Sequence, residues 1–457
     1  MRKFTKKIHL VGIGGAGMSP LAEVLHAHGH TVTGSDRARS AASSRLESIG
    51  IQVQYNHIPE FIKSAELLVY SSAVKEENPE RQYAIANGIP CIRRAELLGE
   101  LMRGHFTICI SGTHGKTTTT SLTGTIFHDA QLSPTVLVGG MVRSAESHAF
   151  IGKSNIMIAE ADEYDRSFLA MYPSIAIITN IEADHLDCYG TLENVKDAFV
   201  KFTDRIPFYG AVVACIDDPG VRDILPSVHR TVITYSVEGE ADYCAADINF
   251  SGGKPSFTVI RKGTELGKIT LSIPGKHNIA NSLAAIAVAH ETGLDFSIVS
   301  QSLNKFQGVR RRFELIGKEK GISVIDDYAH HPGEIKATLD AAKTSGFKRI
   351  IAVFQPHLYT RTRDFLNDFA LILGKADLIY ITDIYKSREE PIPGVTSKTI
   401  VEKIIENGNE NAFHIPEKRE LIVPIAQQVT AGDAVVIMGA GDIWEIAPLL
   451  LERIKNG

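Results

Sequence analysis

Ser111-Gly112-Thr113-His114-Gly115-Lys116-Thr117-Thr118 directly follows the apolar run Phe106-Thr107-Ile108-Cys109-Ile110 and leads into a Thr-rich, helix-compatible stretch. A buried strand, a glycine turn and a helix start, in that order, make a cradle for phosphate. Backbone N–H groups and the positive end of the helix dipole converge there on an anion. Gly112, Thr113, His114, Gly115 and Thr118 form the turn and the helix start, Lys116 can reach the outer phosphates, and the Thr117 hydroxyl can hold Mg²⁺. The usual phosphate loop has four residues between its glycines, whereas Gly112 and Gly115 are separated by two. The stretch reads as a site for ATP or GTP in a class narrower than nucleotide hydrolases at large.

Outward from this loop, short β-like apolar runs alternate with helix-like stretches, the pattern of parallel α/β architecture. Strands are expected at Ile8–Val11, Val69–Tyr70, Ile89–Ile92, Asn155–Ala159, Ile175–Ile178, Ile322–Ile325, Arg349–Phe354, Leu378–Ile381 and Ala434–Met438. A turn-rich, alternating patch from about Asp247 to Ser272 is expected to be antiparallel. A chain of 457 residues exceeds what one core organises, and the pattern divides into three α/β domains at 1–103, 104–309 and 310–457. Composition is that of a globular protein, 44% hydrophobic and 22% charged, and the net charge of −5 without a basic run argues against nucleic-acid or membrane partners. Five cysteines without a C-x-x-C pair read as core residues in a reducing cytosol. The basic start, Met1 to Lys7, superficially resembles a signal peptide, but Gly12, Gly14, Gly15 and Gly17 interrupt the apolar stretch after it. No segment approaches the ~20 apolar residues of a membrane helix, and a cytoplasmic protein is expected.

A second glycine loop, Gly12-Ile13-Gly14-Gly15-Ala16-Gly17, follows the first strand and opens the helix-like stretch Met18–His28, with Asp36 nineteen residues beyond Gly17. These are the features of a dinucleotide-binding fingerprint. The same geometry serves any diphosphate attached to a nucleoside, because helix N–H groups recognise phosphate and not nicotinamide. Beside the loop at 112–118, two readings stand: a dehydrogenase with a second nucleotide domain, or an ATP-driven enzyme whose other substrate carries a nucleoside diphosphate.

In the middle segment a strand ends on Glu160-Ala161-Asp162-Glu163, where a carboxylate near a phosphate loop suits Mg²⁺; Glu160 is favoured over Asp162 and Glu163. The next strand runs into Asn180-Ile181-Glu182-Ala183-Asp184-His185, which makes His185 a candidate for metal or phosphate contact. Asn278 and Asn281 fall one turn apart at the head of an Ala-rich helix and can face one ligand, such as an adenine edge, although Asn278 could simply cap that helix. The last segment offers Arg310-Arg311-Arg312, the cluster Asp326-Asp327-Tyr328-Ala329-His330-His331 and the loop Gln355-Pro356-His357-Leu358-Tyr359-Thr360-Arg361. Without cysteines to complete a zinc set, the cluster reads as substrate contacts, and an arginine in a loop after a strand suits a carboxylate.

With G-T-H-G-K-T-T, E-A-D-E, N-I-E-A-D-H-L-D, H-N-I-A-N, R-R-R-F-E, D-D-Y-A-H-H-P and Y-T-R-T-R in this order, the chain resembles the Mur ligase family nearly end to end, and the short phosphate loop is that family's form. The N-terminal G-I-G-G-A-G-M, D-I-Y with R-E-E-P-I-P-G-V over 383–395, and G-A-G-D at 439–442 are similar to its alanine-adding branch. The resemblance implies a Rossmann-like UDP-binding first domain, a P-loop ATPase-like central domain with a mixed sheet, and a Rossmann-like last domain. It implies cytoplasmic peptidoglycan precursor synthesis: ATP activates the carboxylate of UDP-N-acetylmuramate as an acyl phosphate, which the amine of L-alanine then attacks.

By the same resemblance, Gly12, Gly14, Gly15, Ala16, Gly17 and Asp36 hold the UDP substrate, and Asn278, Asn281 and Arg312 grip ATP alongside the phosphate loop. Thr117, Glu160 and His185 hold Mg²⁺, Lys116 offsets phosphoryl charge, and Tyr328, His330, His357 and Arg361 place alanine. Many relatives use a carbamylated lysine near the metal where the register here puts Phe199, which fits the alanine-adding branch. Many alanine-adding members have arginine after the His of Q-P-H; Leu358 stands here, leaving more of the carboxylate to Arg361. Within the family the rival is a ligase that recycles a preformed peptide onto UDP-N-acetylmuramate. Outside it stand an NAD(P)-dependent oxidoreductase and a non-catalytic UDP-sugar sensor. A monomer or homodimer is expected, and closure of the domains is expected to exclude water from the acyl phosphate.

Overall fold

The computed structural model describes residues 6–142, 147–387 and 389–456. Most of the basic start and Arg388 of the 383–395 motif lie outside the described residues. The first sheet contains β1 (Lys7–Val11), β2 (Thr31–Ser35), β3 (Gln52–Gln54), β4 (Leu67–Tyr70) and β5 (Cys91–Arg93), all parallel in the order β3-β2-β1-β4-β5. The strand order reverses at β1, so the glycine loop that follows it sits at the switch point where such sheets bind ligands. The expected helix after that loop is found as Ser19–Ala27.

The second sheet contains β6 (Phe106–Ser111), β7 (Thr135–Val142), β8 (Ser147–Phe150), β9 (Ile156–Glu160), β10 (Ile175–Ile178), β11 (Ala211–Cys215), β12 (Thr231–Ser236), β13 (Tyr243–Ser251), β14 (Lys254–Arg261) and β15 (Thr264–Thr270). Their order is β15-β14-β13-β12-β11-β10-β6-β9-β7-β8. β6 pairs in parallel with β9 and β10, which brings the ends of three strands around the phosphate loop. β13, β14 and β15 are joined by the two-residue turns Gly252-Gly253 and Lys262-Gly263. Connections that short admit only antiparallel hairpins, so the 247–272 patch is antiparallel as its alternation indicated.

The third sheet contains β16 (Glu314–Glu319), β17 (Ile322–Asp327), β18 (Ile350–Phe354), β19 (Leu378–Ile381), β20 (Ala412–His414) and β21 (Ala434–Met438), in the order β16-β17-β21-β18-β19-β20. Only β16 is antiparallel to its neighbour. β18, β19 and β21 read as unbroken apolar runs because both faces are covered. Ile325, Ala352, Phe354 and Val436 enter one core and Val324, Ile351, Val353 and Val435 the other, the period-2 alternation of a strand. The expected three-domain α/β architecture is therefore present, and all five cysteines are free thiols.

By contact density the chain forms two compact units. One contains Met1–Ala246, Thr258–Gly267 and Ala280–Leu303; the other contains Asp247–Phe257, Lys268–Ile279 and Asn304–Gly457. In the first unit a single core runs from Leu10, Val24 and Leu97 of the N-terminal sheet to Ile178, Phe199 and Phe202 of the central one. Phe168 stacks on Phe202 at 4.8 Å and meets Phe199 edge-on at 5.1 Å. Phe199 is thus a fully buried core ring.

Candidate functional site

In the first unit, the phosphate loop turns on two glycines with positive φ, Gly112 at 130° and Gly115 at 84°. A Cβ on Gly112 would collide with Thr179 Oγ1, and one on Gly115 would lie 2.7 Å from Asn281 Oδ1, so both positions need glycine for close approach as well as for φ. Asn281 therefore stands at the loop. Asn278, in the second unit, donates from Nδ2 to the Pro274 carbonyl at 2.6 Å.

The end of β10 braces the loop. Asn180 Oδ1 accepts the His114 N–H at 2.7 Å, and its Nδ2 donates to the His114 carbonyl at 3.2 Å. Thr179 Oγ1 donates to the same carbonyl at 2.6 Å, and the Thr113 N–H donates to the Asn180 carbonyl at 3.1 Å. Thr113 Oγ1 accepts the Glu182 N–H at 2.9 Å. Sequence reasoning assigned no role to Thr179 or Asn180; the available signal was that polar residues follow a strand destined to lie beside β6.

Lys116 opens the helix Lys116–Asp129 and folds back on the loop. Its Nζ donates to the Gly112 carbonyl at 2.7 Å, to the Thr113 carbonyl at 3.3 Å and to Glu163 Oε2 at 2.7 Å. Burial opposes its charge, but Glu163, Asp162 and Glu160 outweigh burial and raise the ammonium above its ordinary value. Burial also pushes the Glu163 carboxyl up, against the pull of Lys116. A lysine nitrogen donating simultaneously to a carboxylate oxygen and two carbonyls needs all three of its protons, so Lys116 is the ionised ammonium and faces an ionised Glu163.

Asp162, Glu163 and His185 each present a ligand atom within 4.8 Å of the others. His185 caps a short helix in left-handed geometry (φ 55°), with Nε2 3.9 Å from Glu163 Oε1 and 3.7 Å from Asp184 Oδ2. Glu163 Oε1 is buried and has no hydrogen-bond partner among the described residues. Glu160 ends β9 and accepts the Gly139 N–H at 2.8 Å, while Thr117 is buried in the first turn of the helix. His185 is thus grouped with Asp162 and Glu163, the carboxylates ranked behind Glu160 from sequence.

The first glycine loop opens on a cleft of about 270 Å³ lined by Gly15, Ala16, Gly17, Arg94, Glu160 and Asp162 among others. Asp36 Oδ2 accepts the Gly14 N–H at 2.8 Å and Oδ1 the Arg37 N–H at 2.7 Å, so its carboxylate braces the loop.

In the second unit, candidate residues gather where β17, β18 and β21 end. Arg311 and Arg312 lie over the Tyr328 ring at 4.9 and 5.2 Å, and Arg312 Nη1 is 3.6 Å from Glu334 Oε1. His330 meets Tyr328 edge-on at 5.3 Å and His357 at 5.8 Å. Arg361 Nη1 lies 3.5 Å from His357 Nδ1. Leu358 adopts φ 73° with its N–H donating to the Tyr385 carbonyl at 3.1 Å, and Tyr385 stacks on His357 at 5.9 Å. Beyond Tyr385 lies a cleft of about 360 Å³ lined by Gln355, Lys386, Lys418 and Asp442, residues to which the sequence reading gave no role.

Profiles of the Mur ligase family cover most of the chain. The catalytic-domain profile matches residues 7–106, the middle-domain profile 110–289 and the glutamate ligase domain profile 311–441. The chain is 46% identical over 441 residues to the UDP-N-acetylmuramate–L-alanine ligase of Sorangium cellulosum (strain So ce56), covering 96% of this chain and 94% of that protein. It is 45% identical over 452 residues to the enzyme of the same name from Geobacter sp. (strain M21), covering 98% of each. Among solved structures it is similar to the UDP-N-acetylmuramate-alanine ligase of Thermotoga maritima, with a TM-score of 0.84 at 30% identity over 98% of this chain and 99% of that one. A murein peptide ligase from Psychrobacter arcticus gives a TM-score of 0.72 at 28% identity, with 99% of each chain covered. Matched over nearly its whole length by relatives of this similarity, the chain belongs to the Mur ligase family.

Proposed function

We propose that the chain is an ATP-dependent carbon–nitrogen ligase that joins L-alanine to UDP-N-acetylmuramate in cytoplasmic peptidoglycan precursor synthesis. Residues 1–103 would bind the UDP substrate, 104–309 ATP, and 310–457 the amino acid. One observation carries the reading: the cleft at Gly15–Gly17 is also lined by Glu160 and Asp162 of the β9 end, beside the phosphate loop. A nucleotide-sugar held on the first loop can there present its carboxylate to the γ-phosphate of ATP held on the second.

A carboxylate is a poor electrophile, and activation replaces hydroxide by phosphate as the leaving group. The carboxylate oxygen bonds the γ-phosphorus as the bond to the β-bridging oxygen breaks, giving acyl phosphate and ADP. The neutral amine of alanine then attacks the acyl carbon, phosphate departs, and the amine proton is lost. Lys116 supplies positive charge at the outer phosphates; Gly112–Thr118 orient them; His330, His357 and Arg361 place alanine. Positioning and charge stabilisation carry most of such catalysis.

The residues present fit Mg²⁺. An oxygen-rich donor set suits that ion, and the buried Glu163 Oε1 lacks a partner among the described residues. Thr117, Glu160 and His185, with Asp162 and Glu163 beside His185, would hold it. Bound there, it would offset phosphoryl charge. Five free thiols and the absence, among the described residues, of a helix long and apolar enough to cross a membrane agree with a cytoplasmic setting.

Phosphate release from Mg-ATP with UDP-N-acetylmuramate and L-alanine, supplied singly and together, tests the proposal. Release that needs both, with an alanine-adduct mass, is the expected result. Activity only when a muropeptide-type tripeptide replaces alanine would move the chain to peptide recycling. Silence in every combination, with a dinucleotide shifting the melting temperature, would overturn the ligase.

A further inference from the structure

We propose that Arg94 is the cation that receives the diphosphate of the nucleotide-sugar substrate, completing a grip with the N–H groups of Ala16 and Gly17. This rests on the ligand assigned above to the first glycine loop and names a residue that the fingerprint does not contain.

The loop has few donors left to offer. The Gly12 and Ile13 N–H groups donate to the Ser35 carbonyl at 2.8 and 3.0 Å, and the Gly15 N–H to the Gly12 carbonyl at 3.1 Å. Gly14 N–H is taken by Asp36, and Met18 and Ser19 N–H both donate to the Gly15 carbonyl at 2.9 Å. Pro20, in the first turn of the helix Ser19–Ala27, has no N–H to give. Among the described residues, only Ala16 and Gly17 of the segment 12–19 keep an N–H without a protein acceptor. Two neutral donors are a weak match for two phosphate charges, and the Asp36 carboxylate behind the loop adds repulsion.

Arg94 supplies what is missing. It opens the helix Arg94–Met102, anchored by buried Leu97, Leu98, Leu101 and Met102. Its guanidinium lies along Gly17: a Cβ on that glycine would be 3.0 Å from Nη1 and 3.2 Å from Cζ. A side chain at position 17 would push the guanidinium back by a few tenths of an ångström. Among the described residues Arg94 is the one Lys or Arg lining the cleft, and it is half-buried. Among the described residues it has no carboxylate partner, while its neighbour Arg93 lies 3.7 Å from Asp165. An arginine fork suits bidentate contact with phosphate oxygens. Glu160 and Asp162 also line this cleft. Their charge disfavours the diphosphate on their side and leaves it on the Arg94 side.

The test is calorimetric titration of the full-length protein, without ATP, using UDP, UDP-N-acetylglucosamine and UDP-N-acetylmuramate, for the wild type, Arg94→Met and Arg94→Lys. Arg94→Met is expected to weaken all three by about tenfold to a hundredfold, as loss of a charge-assisted contact does. Arg94→Lys should lose less, because it keeps the charge but not the fork. In turnover the KM for UDP-N-acetylmuramate should rise while the KM for ATP holds, a split that a general structural defect would not produce. Should Arg94→Met not fold, Arg94→Lys decides by the same comparison. Unchanged affinities would overturn the proposal, as would a loss confined to UDP-N-acetylmuramate, which would put Arg94 on the carboxylate. Wild-type protein that binds UDP but not UDP-N-acetylmuramate would sink the proposed reaction and leave the diphosphate grip standing; wild type that binds none of the three would sink both.

Discussion

Replacing Lys116 with methionine removes one partner from a buried ion pair and leaves the other in place. Glu163 loses its 2.7 Å contact at Oε2, its Oε1 already lacks a hydrogen-bond partner among the described residues, and its side chain is 3% exposed. Stripping one partner from such a pair costs about 3–5 kcal/mol, because the remaining charge is uncompensated. Glu163 can escape by taking up a proton, and burial already pushes its carboxyl up. A carboxyl whose folded pKa exceeds its unfolded one holds its proton longer in the native state. Its favourable contribution is then complete below the ordinary carboxylate range and is lost as pH rises toward the folded value. Lys116→Met should therefore cost about 3 kcal/mol or more at pH 8 and much less at pH 5. Lys116→Met with Glu163→Gln should recover most of the loss at pH 8. Urea unfolding followed by circular dichroism at the two pH values reads the stability, and phosphate release reads turnover, which both variants should lack. A cost that does not change with pH, or a double variant no better than the single one, would refute the reading of this pair. Appreciable turnover in a folded Lys116→Met would remove Lys116 from the phosphate site.

Asn180→Ala takes both side-chain hydrogen bonds from His114, worth about 1–3 kcal/mol together; the KM for ATP should rise while UDP binding, measured by calorimetry, stays unchanged. Arg361→Ala should mainly raise the KM for alanine in the phosphate-release assay, and an effect confined to ATP would show that its loop is misassigned. Burial pushes Asp326 up to about 7 against the pull of Arg311. A raised acid binds more protons in the folded state, so stability should fall between about pH 4 and pH 7, by on the order of 4 kcal/mol for this group. Asp326→Asn should flatten that slope in urea unfolding, and identical slopes would contradict the assignment.

What the sequence made legible was whatever a short window contains. The unbroken runs Ile350–Phe354 and Ala434–Met438 announce strands covered on both faces, and their side chains do divide between two cores. Both glycine loops could be placed because each lies between a strand and a helix, although a fingerprint alone does not choose between nicotinamide and UDP. Less visible were side chains whose partners are set by strand order. In Glu160-Ala161-Asp162-Glu163 the spacing does not say which carboxylate meets Lys116. The left-handed Asp165 and Arg166 that follow (φ 53° and 55°) reverse the chain there, and Glu163 is the residue that pairs. Arg94 was hidden likewise, being seventy-seven residues from Gly17 in sequence and against it in space.

The shortened phosphate loop makes the point most sharply. With two residues between its glycines it has little backbone with which to brace itself, and Thr113 and His114 are held from outside, by Thr179 and Asn180 at the end of β10. That support exists because β10 is the strand beside β6, with Ile178 in register with Ser111. A short loop of this kind thus implies polar residues immediately after the strand that pairs with its own, and Thr179-Asn180 can be sought in the sequence once the strand order is known. The candidate nucleotide cradle is a property of two adjacent strands, and the glycines that mark it in the sequence are only half of it.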